Sequence, residues 1–97
     1  MALRIAVPSE SRRPLVPDLA FVAFHRMRGF EYDEIQAPRF APTVAVEILS
    51  RGDDAHDLES KVDVYLRAGS GLAIVVDPLG RTLALYDARG NTVLFRR

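Results

Sequence analysis

The chain has 97 residues, 48% of them apolar, enough for one small domain with a core of its own and too apolar for a disordered segment. Thirteen basic residues balance thirteen acidic ones, so the chain lacks the overall positive charge that carries many autonomous nucleic-acid binders, though a local basic rim around an acidic site stays open. There is no cysteine, which excludes disulfides, thiolate metal sites and a cysteine nucleophile.

In chain order, Met1 to Val7 is too short an apolar run for a signal peptide. No segment approaches the roughly 18 apolar residues that span a bilayer. A cytoplasmic protein with no membrane segment is expected. Leu3 to Val7 reads as a short strand, closed by the turn-like stretch through Arg12-Arg13-Pro14. Leu15 to Phe24 reads as a second strand, and its nearly continuous apolar run predicts burial on both faces. His25 to Pro42 carries Gly29 and two prolines and reads as a loop, long for a compact domain.

Thr43 to Leu49 is the clearest strand, rich in β-branched residues, with Pro42 tolerated at its start and Ser50-Arg51-Gly52 breaking it. A helix is predicted from about Asp54 to Ala68. Asp53 or Asp54 caps it, Asp57 and Glu59 place negative charge near its N-terminus, and Gly69 stops it. Leu58, Val62, Tyr65 and Leu66 form its apolar face. Leu72 to Val76 is a further strand, ended by Asp77-Pro78-Leu79-Gly80. Arg81 to Tyr86 and Thr92 to Phe95 then read as a hairpin. The strand-helix-strand unit from residue 43 to 76 predicts a parallel or mixed sheet with the helix on one face. The other face needs a different cover.

Glu47 is the anomaly, a carboxylate between Val46 and Ile48 inside an apolar strand, where a lone charge is costly to bury. Alternation puts it on one face with Thr43, Ala45 and Leu49, which is either a solvated face or the floor of a site. Asp18, beside Pro17 at the start of another strand, is either a turn-forming aspartate or a second metal-binding carboxylate. Lys61 falls beside Tyr65 at the edge of the helix's apolar face; it either pairs with Asp57 four residues earlier or reaches along the sheet toward the strand ends.

His25 and His56 show no metal-ligand spacing. Arg12, Arg13, Arg26, Arg28, Arg39 and Arg51 lie outside the predicted element interiors, where they are either a scattered surface or phosphate contacts. Ser50 lacks a partnered base and reads as a turn residue. Tyr65 and Phe21 read as core.

Pro17-Asp18-Leu-Ala-Phe-Val, Ala41-Pro42-Thr43-Val-Ala-Val-Glu47-Ile-Leu-Ser50, Asp57-Leu-Glu-Ser-Lys61-Val-Asp-Val-Tyr65-Leu-Arg-Ala-Gly69 and Val75-Val76-Asp77-Pro78, taken as a set, resemble the Uma-two-type restriction endonuclease family of the PD-(D/E)XK nuclease-like superfamily. The resemblance runs from about residue 4 to residue 95. It implies an α/β fold over residues 1–97 as one domain: a mixed β-sheet with one crossover helix, a restriction-endonuclease-like core truncated at the N-terminus. It also implies a metal-dependent endonuclease hydrolysing DNA phosphodiester bonds.

Under that resemblance Asp18, Glu47 and Lys61 are the catalytic residues. Asp18 and Glu47, with the Ile48 carbonyl, hold Mg²⁺ or Mn²⁺. The lysine that usually stands two residues after the acid falls at Leu49, and Lys61 on the helix takes its place. Two departures oppose activity. Thr43 stands where family members carry an aspartate, and the N-terminal helix that covers the second sheet face is absent from the pattern. The resemblance therefore also allows a catalytically impaired relic acting as a binding or oligomeric assembly module. A homodimer or a partner subunit is expected to cover the second face.

Overall fold

The computed structural model describes Val7, residues 15–23 and residues 41–97. Within them, five strands form one sheet in the order β1 (Leu19–Phe21), β2 (Val44–Ile48), β3 (Leu72–Asp77), β4 (Thr82–Asp87) and β5 (Thr92–Arg96). The sheet is mixed. β1 is antiparallel to β2, β2 is parallel to β3, and β3, β4 and β5 form an antiparallel meander. The parallel pair is joined through α1 (Ala55–Arg67), because two parallel neighbours need a crossover and cannot share a tight turn.

Each element forms where its residues favour it. β2 is Val-Ala-Val-Glu-Ile, three of its five residues β-branched, and it sits between two neighbours as such a strand should. Asp54 caps α1, its carboxylate accepting the His56 N–H at 2.7 Å. The helix ends in a Schellman arrangement: Ser70 N–H bonds to the Tyr65 carbonyl and Gly69 N–H to the Leu66 carbonyl. Gly69 has φ 116°, a conformation a Cβ would oppose.

The first strand departs from the expected Leu15 to Phe24. Only Leu19–Phe21 pairs with β2, while Leu15 makes an isolated bridge with Val7. Pro17 explains the late start, since it has no N–H to add to the ladder. Nor is the strand buried on both faces: Ala20 is fully buried, whereas Leu19 and Phe21 are about two-fifths exposed (44% and 40%). The strand expected at Leu3 to Val7 and the loop expected at His25 to Pro42 fall almost wholly outside the described residues.

The core lies between the sheet and α1, where Val7, Ala20, Val22, Ala45 and Tyr65 pack together with Leu15 and Val64. Register fixes what the opposite face carries. Leu19 and Phe21 share it with Val46 and Val44, and these with Leu72, Ile74 and Val76 of β3. Leu83 and Leu85, then Phe95 and Val93, continue it across β4 and β5. Apart from Asp87, opposite Leu72 at the end of β4, these paired positions are apolar across all five strands, and α1 does not cover them. Among the described residues no helix is long and apolar enough to cross a membrane.

Candidate active site

Glu47 is the penultimate residue of β2, and it points to the face that α1 covers, with only 6% of its surface exposed. The solvated-face reading of this position is therefore wrong. Its Oε1 accepts a hydrogen bond from the Tyr65 hydroxyl. Burial pushes the Glu47 carboxyl above its ordinary value; the Tyr65 hydrogen bond and the nearby Lys61 charge pull it down, and Asp18 raises it as a neighbouring negative charge and hydrogen-bond partner. Burial and the same carboxylate push the Tyr65 phenol far up, so the phenol keeps its proton and remains a donor.

Asp18 stands just before β1, and its Oδ2 accepts the Ile48 N–H at 2.7 Å. The register shows why a side chain does this. Leu49 N–H bonds to the Val76 carbonyl, so the N–H and C=O of Ile48 face the opposite neighbour, β1. Extending the β1–β2 pairing from Leu19↔Val46 puts Pro17 opposite Ile48. With the ladder ending at Pro17, the Asp18 carboxylate takes the Ile48 N–H. Pro17 has no hydrogen to offer the Ile48 carbonyl, which by the same register faces the β1 side, where the Asp18 carboxylate lies.

Lys61 lies on α1 one turn before Tyr65 and is half-buried. Its charge partly offsets the upward push of burial on Glu47, and it adds a small pull to Asp53, whose carboxyl is held down first by its hydrogen bonds from the Ser50 N–H and hydroxyl. The expected pairing with Asp57 does not form; the ion pair among the described residues is Arg67 with Asp63, at 3.0 Å. Lys61 thus stands within electrostatic range of Glu47 but in salt-bridge contact with no described carboxylate.

The structure brings Asp18, Glu47, Ile48 and Lys61 to one edge of the sheet, at the C-terminal end of β2. It does not bring Thr43 there. Thr43 lies four residues, roughly 13 Å, back along the strand from Glu47. Its Oγ1 accepts the Ala23 N–H at 2.9 Å and its carbonyl accepts from Gly71 and Leu72. Thr43, where the family pattern carries an aspartate, thus stands at the far end of the strand from Glu47. Ser50 is a turn residue, its N–H and hydroxyl both donating to Asp53. His56 and Arg51 are exposed. His25, Arg12, Arg13, Arg26, Arg28 and Arg39 lie outside the described residues.

Tyr65 is the site residue that sequence reasoning assigned only to the core. A buried phenol needs a partner for its hydroxyl, and Tyr65 lies one turn beyond Lys61 on the helix that packs over the strand carrying Glu47. That was the available signal. Among the described residues no three Asp, Glu or His side chains gather as a metal cage. Two carboxylates and a carbonyl nevertheless fit Mg²⁺, which commonly takes one or two carboxylates and completes its octahedron with waters or substrate phosphate oxygens. The mutual repulsion of Asp18 and Glu47 is what a divalent cation would relieve.

The family model Uma2, described as a putative restriction endonuclease, matches residues 2–94. No curated protein matches the chain. Among solved structures, the crystal structure of a putative nuclease belonging to DUF820 from Anabaena variabilis is similar, with a TM-score of 0.79 at 24% sequence identity. The match covers 99% of this chain and 54% of that one, so the chain spans about half the length of that neighbour. At this identity the likeness establishes the fold, a mixed sheet with one crossover helix.

Proposed function

The chain belongs to the Uma2 family of putative restriction endonucleases, and from that membership we propose that it is a metal-dependent endonuclease hydrolysing DNA phosphodiester bonds at Asp18 and Glu47. The observation that carries this reading is the placement of Glu47. A carboxylate buried under a helix, held by a tyrosine and set beside a second acid raises the free energy of the folded chain, and such arrangements concentrate where chemistry needs them.

In this reading Asp18, Glu47 and the Ile48 carbonyl would hold Mg²⁺ or Mn²⁺. The bound cation would supply a water of lowered pKa and offset charge on the phosphate. The chain's own groups do the rest. Tyr65 fixes the orientation of the Glu47 carboxylate and leaves its second oxygen for the cation. Asp18 is fixed by the Ile48 N–H, which locks one carboxylate to the backbone beside the other. Lys61, unpaired with Asp57, is available to the attacking water or to a phosphate oxygen.

The test is nicking of supercoiled DNA with Mg²⁺ or Mn²⁺, comparing the native chain with Glu47→Ala. A lost metal ligand removes several kcal/mol of charge stabilisation, so cleavage should fall by about a hundredfold or more. Cleavage that persists unchanged in Glu47→Ala removes this site from the reaction. An inactive native chain supports the assembly-module alternative instead.

A further inference from the structure

The edge that holds Glu47 also holds a group of arginines from the other end of the sheet. β2 and β3 are parallel and β3, β4 and β5 are antiparallel, so the C-terminal ends of β2, β3 and β5 and the N-terminal end of β4 all meet at this edge. Asp77 pairs with Thr82, and Thr82 with Arg96. Arg81 directly precedes β4, and its carbonyl accepts the Arg97 N–H at 3.1 Å, tying the two segments together. Arg81, Arg96 and Arg97 line an open hollow whose apolar part is Val76, Leu83 and Phe95.

Three observations set these arginines apart from an ordinary solvated surface. All three are exposed, and none makes an ion pair among the described residues. The one acid in the hollow, Asp77, is occupied by its own turn, its Oδ1 accepting the Gly80 N–H at 2.9 Å. Arg81 also has φ 54°, a left-handed backbone that glycine or asparagine would adopt more readily in a turn. Arginine stands at this position all the same, and its side chain lines the hollow.

Position relates the group to the acids through Arg96; Arg97, one residue on, and the hollow's Val76, Leu83 and Phe95 belong to the opposite face, so the arginines gather at the sheet edge from both sides. Glu47, Val75, Ala84 and Leu94 share one face by register, and Arg96 lies two residues beyond Leu94, so it projects from that same face. β5 is three strands from β2, roughly 14 Å at the usual strand spacing. Each strand of a DNA duplex presents a phosphate about every 3.4 Å along the axis, so this span corresponds to about four nucleotides. The zero net charge of the chain conceals this local excess.

We propose that Arg81, Arg96 and Arg97 form a phosphate track that grips the DNA backbone a few nucleotides away from the bond positioned at Asp18 and Glu47. This assignment rests on the nuclease reading for its substrate, but its test does not use cleavage. The affinity of the whole chain for a short fluorescent duplex is measured by anisotropy in EDTA across a salt series. Each phosphate contact contributes about 0.9 to the slope of log affinity against log salt, so Arg81→Gln, Arg96→Gln and Arg97→Gln together should lower the slope by about 2 to 3. Affinity at low salt should fall about tenfold or more. The corresponding triple Arg→Lys variant should keep most of the slope, because charge is what is read. A slope unchanged in the triple glutamine variant overturns the track, even where Glu47-dependent cleavage stands. Polyglutamate competing as well as unlabelled duplex also overturns it. Conversely, cleavage unaffected by Glu47→Ala sinks the nuclease reading and leaves the slope measurement untouched.

Discussion

At the scale of single residues, Glu47 and Tyr65 are coupled through one proton. The phenol donates and the carboxylate accepts, and burial disfavours ionisation of both. The folded Glu47 carboxyl therefore releases its proton at higher pH than the same group in the unfolded chain. Protonated Glu47 thus favours the fold: this stability is fully present below the ordinary carboxylate value of 4.5 and is lost as pH rises through the raised folded value. Glu47→Gln keeps an acceptor for Tyr65 and removes the charge. In metal-free buffer the variant should be more stable than the native chain by about 1 kcal/mol at neutral pH, with the gap closing under acid conditions. Urea denaturation at several pH values measures this. A glutamine variant less stable at neutral pH would mean that the charged form of Glu47 is favoured by the fold, contrary to the geometry described.

At the scale of elements, α1 determines whether Lys61 and Tyr65 meet the strand ends, and Asp54 sets where α1 begins. Asp54→Ala removes the side-chain acceptor for the His56 N–H and should cost about 1 kcal/mol in thermal or urea unfolding. Because the cap lies outside the site, affinity for Mn²⁺ should hold; a loss of metal binding larger than the loss of stability would show that the helix start shapes the site directly. The helix and β2 were both legible in the sequence, since capping residues, a glycine stop and a β-branched run are local signals. The short β1 was less so, because an apolar run gives no notice of where Pro17 ends the ladder. Asp18 meeting the Ile48 N–H was not legible without the register, because the two residues are thirty positions apart and join only through strand pairing. The resemblance named Asp18, Glu47 and Lys61, and its pattern ran through Tyr65 without giving it a role; Thr43, where the pattern carries an aspartate, stands at the strand's other end. Arg81 was read simply as the start of a hairpin, and Arg96 and Arg97 were assigned nothing, because only the sheet order brings that hairpin's end to the edge with Glu47.

At the scale of the whole molecule, the two faces of the sheet are unequal. One carries the core, α1 and the acids. The other presents Leu19, Phe21, Ile48, Val93 and Phe95 at between 40% and 57% exposure, from β1 to β5. Scattered apolar residues are normal on a surface, but a contiguous apolar face is characteristic of an interface. Its charged positions, Asp87 and Arg97, fall at the strand ends, so over the central positions two copies can meet face to face without repulsion, at the roughly 10 Å separation of packed sheets. The chain by itself is therefore expected to self-associate through this face. Light scattering across the micromolar range should show the molar mass rising toward that of a dimer with concentration. Leu19→Lys with Val93→Lys places like charges on the facing surfaces and should return the mass to that of one chain. Both side chains are already largely exposed, so folding should survive, which circular dichroism can verify. A native chain that stays monomeric throughout would leave this face to a different partner, whereas a dimer indifferent to both lysines would have to form through another surface.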